Sequence, residues 1–136
     1  AGGGLAAFAA VIAVVAGIAL TQETRRSATV DLAGLPDMPK ERTAAYREAA
    51  GHRDLFRHLP CYCGCALLDA PHDSLDRCFF APDGSPEPHA AGCQICAEIA
   101  LLAANLAHRG VAHGDIRAQV DEEFEGIGPA TETPLP

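Results

Sequence analysis

Basic runs are missing from this chain beyond the Arg25-Arg26 pair, and its formal net charge is -8. A surface of that sign repels phosphate backbones and anionic headgroups, so nucleic-acid binding and polybasic membrane attachment are both disfavoured. Internal repeats and the period-two alternation of strands are missing too, which turns the reading toward helices and loops. No nucleophile–base arrangement and no converging acid and base groups stand out, so the pattern does not read as an enzyme. Methionine occurs once, at Met38, which removes a methionine-rich surface for soft metals. Cysteine is absent from every part of the chain except residues 61–96, where there are six.

At 136 residues the chain has room for one compact domain with an anchor or tail. Residues 1–20 carry no charge and include the apolar run from Leu5 to Leu20. As a helix that segment reaches about 30 Å, the thickness of a hydrocarbon core. Residues 1–22 are therefore expected to form a single transmembrane anchor or a retained signal-like helix. An export signal is the competing reading, because Gly17 and Ala19 are small enough to flank a cleavage position. By themselves Arg25 and Arg26 favour a cytoplasmic side for the domain beyond the span. Residues 23–36 are polar and rich in small side chains, and read as a tether.

The expected fold is mainly α: after the single transmembrane helix comes a small, helical, loop-rich cysteine-cluster domain over residues 37–128, then an irregular tail over 129–136. Pro39 fits the first turn of a helix with Asp37 as its cap. Tyr46, Ala49, Ala50 and Arg53 share a face, and Gly51-His52 bends or divides the run. Leu55, Phe56 and Leu59 make a second apolar patch. Residues 69–91 read mostly as turn and loop, with Phe79 and Phe80 over the cysteines. A helix over 92–108 carries Cys93, Cys96, Ala97, Ala100, Leu101 and Ala104 on one face, and Gly110 is a natural terminator. A last helix over 115–124 repeats Ile116, Val120 and Phe124 every four residues.

Cys61, Cys63 and Cys65 alternate in Cys-Tyr-Cys-Gly-Cys; Cys78 comes next, then the Cys93-Gln-Ile-Cys96 pair. Three thiols within five residues do not all enter an apolar core easily, and a local C-x-C pair is poorly disposed for an ordinary disulfide. Convergence on a soft metal leads the alternatives. Cu(I) prefers thiolates, and one sulfur can serve two ions. Four Cu(I) ions against six thiolates leave a residual charge of about -2, and each ion then has three sulfur neighbours if every thiolate bridges. Zn(II) competes, since C-x-C and C-x-x-C arms supply a tetrahedral site. Neither arm has ferredoxin spacing, and Ala97 stands where haem c attachment needs histidine. Thiol–disulfide exchange remains a third class, with Cys93 activated near a helix start.

The segment Pro60-Cys-Tyr-Cys-Gly-Cys65 resembles the bacterial PCYCGC-motif protein family. The likeness continues through His72-Asp-Ser-Leu-Asp-Arg-Cys78-Phe79, Gly92-Cys-Gln-Ile-Cys96 and Ile116-Arg117, and covers roughly residue 37 to the end. Its members resemble envelope proteins held by a lipid or membrane anchor, which implies an extracytoplasmic domain, against the Arg25-Arg26 signal. Ala66 and Pro71 depart from the glycines usual in the family.

Among the histidines, His72 is the auxiliary ligand candidate because it lies between the cysteine arms; His89 is a less specific one. His52, His58, His108 and His113 read as surface or capping residues, and Tyr62 as packing over the site. The expected function is a membrane-anchored envelope protein that stores or delivers Cu(I), with a copper-requiring or respiratory membrane protein as partner. The alternatives are a zinc-stabilised structural subunit of a membrane complex and a thiol–disulfide redox protein.

Overall fold

A computed structural model describes residues 29–67 and 72–136. The expected span at 1–22 lies outside the described residues, as does the first part of the tether. No helix among the described residues is long and apolar enough to cross a membrane. The described part is mainly helical, with isolated β-bridges at Phe80–Pro86 and Glu125–Gly128 in place of strands.

Among the described residues, six helices succeed one another: α1 Lys40–Gly51, α2 Arg53–Phe56, α3 Leu75–Phe79, α4 His89–Gly92, α5 Gln94–His108 and α6 His113–Phe124. A short 3-10 turn, Cys65–Leu67, lies between α2 and α3. Pro39 itself occupies the N-cap of α1, and its carbonyl accepts from the amides of Arg42 and Thr43. Asp37 is exposed two residues earlier and does not cap the helix, a correction to the expected start. The expected break falls at His52, whose φ of -128° separates α1 from α2.

Helix α5 is the central element. Its buried side chains are Cys96, Ala97, Ile99, Ala100, Ala103, Ala104 and Leu106, mostly small, so neighbouring backbones approach closely. Ala45, Tyr46 and Ala49 of α1 pack on one side of it, and Ile116, Val120 and Phe124 of α6 on the other. Near the start of α1, Arg42 Nη1 donates to the Ala91 carbonyl at 2.8 Å; near its end, Glu48 meets His108, the last residue of α5. The two helices therefore run parallel, with their C-terminal ends together.

Under this pair sits an aromatic core. Tyr46 meets Phe79 edge-on with ring centroids 5.0 Å apart, and Phe56 lies 6.3 Å from Phe79. Each such fully buried side chain contributes about 1.5–3 kcal/mol of burial free energy. The Tyr46 hydroxyl donates to the Glu87 carbonyl, and burial pushes its pKa up to about 12. Phe80 lies 4.6 Å beneath the guanidinium carbon of Arg53, which also grips the buried Asp76 carboxylate through two bonds of 2.8 and 3.0 Å.

The stretch read as mostly turn and loop contains two short helices, α3 and α4. Their apolar signal is too brief for periodicity to reveal. Leu75 is pinned by its amide to the Leu59 carbonyl at 2.8 Å, so long-range contacts order what local pattern does not. Val30, Leu32 and Leu35, at the end of the expected tether, pack against the core.

Candidate metal centre

Residues 60–65 form an irregular loop beyond α2 in which Cys61, Cys63 and Cys65 meet one another on one side while Tyr62 turns to the other. Tyr62 does not lie over the thiols as expected. Its hydroxyl donates to Asp121 at 2.7 Å and its ring stacks on Phe124, with centroids 6.4 Å apart. Gly64 has φ +93°, a left-handed conformation that costs glycine little and lets the loop double back at Cys65.

The irregular C-terminal end fastens this loop. Gly128 passes so close that an added Cβ would meet the Tyr62 carbonyl oxygen at 2.6 Å. Three residues on, the Thr131 hydroxyl accepts from the Cys61 amide at 2.9 Å, and the Thr131 amide donates to the Cys61 carbonyl at 3.1 Å. Arg117 reinforces the clasp by donating to the His58 carbonyl and to Thr133, both at 2.8 Å.

Three further elements bring sulfur to the loop. Helix α3 supplies Cys78, fully buried; the α4–α5 junction supplies Cys93, and the first turn of α5 supplies Cys96. Cys93 is the N-cap of α5, and its sulfur accepts from the Cys96 amide at 3.5 Å. All six cysteines are free thiols. Sulfur–sulfur distances run from 3.0 Å for Cys61–Cys63 and 3.3 Å for Cys63–Cys65 to 3.6 Å for Cys61–Cys96 and 3.7 Å for Cys63–Cys96. Cys61, Cys65, Cys78 and Cys96 are buried; Cys63 and Cys93 are half-buried and form the accessible edge.

His89, the weaker of the two histidine candidates by sequence, has the closer approach. Its Nε2 stands 3.5 Å from Cys63 Sγ and 3.4 Å from Cys65 Sγ. His72 Nδ1 is 3.8 Å from Cys65 Sγ, and the two imidazoles are 4.7 Å apart. No local spacing signals this: α4 ends at Gly92 and Cys93 is extended, so His89 and the C-x-x-C pair do not share a continuous helix face.

Among the described residues the donors fall into overlapping groups whose ligand atoms all lie within 4.8 Å of one another. One is Cys63, His89, Cys93 and Cys96; a second is Cys65, His72, Cys78 and His89; the others are Cys61, Cys63 and Cys65, and Cys61, Cys78 and Cys96. The arrangement can hold metal, and its donor chemistry of sulfur with imidazole suits soft or borderline ions.

Proton distribution obeys the same geometry. Hydrogen bonding from Cys63, and then from Cys78 and Cys96, holds Cys61 far below the usual thiol range. Cys61 pushes Cys63 up, but Cys93, Cys96 and His89 together bring it below its ordinary value. Cys65 falls to about 6, chiefly through the bond from Cys78. The donors shift the opposite way: bonding to Cys61 and Cys65 raises Cys78, and bonding to Cys61 and Cys63 leads the rise of Cys96. Without metal, the loop cysteines are thus shifted toward thiolate while Cys78 and Cys96 hold their protons.

Residues 16–136 match the family described as a protein of unknown function with PCYCGC motif, and the chain belongs to that family. The match begins inside the N-terminal apolar run, well before the residues that carry the motif. No match to a curated protein or to a solved structure was found.

Proposed function

We propose that this member of the PCYCGC-motif family holds several Cu(I) ions in one shared thiolate cluster, and stores them or passes them on at a membrane surface. The observation that supports this reading is the sharing of donors: Cys61, Cys63, Cys65, Cys78 and Cys96 each belong to two of the groups. Sharing of this kind suits a bridged multinuclear cluster such as soft Cu(I) forms with thiolates, whereas zinc in one tetrahedral site leaves two cysteines spare unless a second ion bridges. Three of the groups offer three sulfurs, and the fourth offers Cys65 and Cys78 with His72 and His89. Four groups and six thiolates match about four monovalent ions with a small residual negative charge. The half-buried edge at Cys63 and Cys93 is where an ion would enter or leave. Anchoring through residues 1–22, with the domain extracytoplasmic, would place that edge before a copper-requiring membrane protein.

Zinc has its own supporting observation: Cys63, His89, Cys93 and Cys96 form a three-sulfur, one-nitrogen set of the kind structural zinc uses. Thiol–disulfide chemistry would begin at the half-buried edge, from Cys93 at the start of α5. Anaerobic reconstitution with Cu(I) and Zn(II) in competition, combined with elemental analysis and X-ray absorption, separates the three. About four copper ions per chain with copper–copper scattering is the expected result. One zinc ion retained against excess Cu(I), or a stable disulfide in place of metal, overturns it. Protease protection in intact cells tests the location, and cleavage from the cytoplasmic side alone removes the envelope reading.

A further inference from the structure

At the other end of α5 a second set of ligand atoms converges, built of nitrogen and oxygen with no sulfur. Glu48, in the last turn of α1, points an oxygen at His108 Nε2, 2.9 Å away, and at His52 Nε2, 3.7 Å away. The three ligand atoms all lie within 4.8 Å of one another. Ligands about 2.0–2.1 Å from a tetrahedrally coordinated ion stand about 3.3 Å apart, so the two spacings from Glu48 each lie within about half an ångström of that value.

Both rings are oriented. His52 occupies the break between α1 and α2 and stacks on Phe56 with an interplanar angle of 21°, while the His108 ring stands edge-on to it at 78° and 5.0 Å. Because α1 and α5 run parallel, both of their C-terminal ends, with carbonyls facing outward, come to this corner and favour a cation. A cleft of about 380 Å³ opens beside His52, with Asp54 and His113 on its wall. The thiolate cluster is elsewhere: from Cys96 to His108 the rise along α5 is about 18 Å.

We propose that Glu48, His52 and His108 form a second metal site, for one borderline divalent ion such as Zn(II), with the remaining coordination position open to water. Two imidazoles and a carboxylate are the donor set that zinc accepts and that Cu(I) thiolate chemistry does not need. This site does not depend on which metal fills the cysteines.

The test counts Zn(II) bound by the full chain, reduced and anaerobic, after the thiolates have been saturated with Cu(I) and then dialysed against Zn(II). His108→Ala and Glu48→Gln, both partly exposed substitutions, are compared with the unaltered chain, and circular dichroism and copper content establish that fold and cluster are intact. The expected result is one Zn(II) per chain fewer in each variant. Because the cluster is common to all three proteins, its occupancy cancels in the difference even if zinc displaces copper there. Equal zinc content in the unaltered chain and both variants overturns the proposal and leaves only the contact between His108 and Glu48 at this corner.

Discussion

Replacing Gly128 by alanine is the sharpest test of how the cysteine loop is held. The new Cβ would stand 2.6 Å from the Tyr62 carbonyl oxygen, about 0.8 Å short of the 3.4 Å at which ordinary contact begins. The obstacle is backbone on both sides, so no rotamer change relieves it. The tail must lift from the loop, and overpacking of this kind costs about 1–3 kcal/mol. Lifting also stretches the paired bonds between Thr131 and Cys61, now 2.9 and 3.1 Å, each worth about 1 kcal/mol net. A loss of about 2–4 kcal/mol is therefore expected in denaturant unfolding of the reduced, metal-free chain. Thr131→Val, which deletes only the hydroxyl acceptor of the buried Cys61 amide, should lose about 1–3 kcal/mol. In the metal-loaded protein Gly128→Ala should also release metal faster, because Cys61 belongs to two donor groups. A change within about 0.5 kcal/mol, the range of neutral surface substitutions, would refute the clasp.

Two other outcomes are expected at the site. His89→Ala should lower metal content or affinity more than His72→Ala, since His89 lies within 3.5 Å of both Cys63 and Cys65 while His72 reaches only Cys65 at 3.8 Å; equal effects in a competition titration would contradict this order. Metal loading at pH 7 should release at least two protons, because Cys78 and Cys96 are raised and protonated in the metal-free cluster, whereas Cys65, lowered to about 6, is already mostly thiolate. Protons compete with metal for those two sulfurs, so affinity falls as pH falls, by about a hundredfold per unit for two protons, and more steeply below about pH 6 once Cys65 also takes one up. Indicator-dye titration measures the release, and an affinity independent of pH between 6 and 8 would contradict the proton assignment.

Much of this protein was legible as pattern. The parts that composition and spacing could determine are those governed by local periodicity: the small buried face of α5, the four-residue repeat of Ile116, Val120 and Phe124, the break at His52, and the concentration of thiols in one stretch with a flexible Gly64 among them. A helix face or an alternating loop is set by neighbours within a few residues, so a single chain carries that information. Tertiary structure decided that α3 and α4 form, because the Leu75 amide is held by the Leu59 carbonyl and the Ala91 carbonyl by Arg42. It also decided that Tyr62 faces Asp121 and Phe124, since alternation sorts sides without saying which side meets which helix. The same holds for His89, for the clasp of Gly128 and Thr131 on Cys61, and for the meeting of Glu48, His52 and His108: each joins segments separated by tens of residues, and such distances are fixed by how helices pack, which no local spacing encodes.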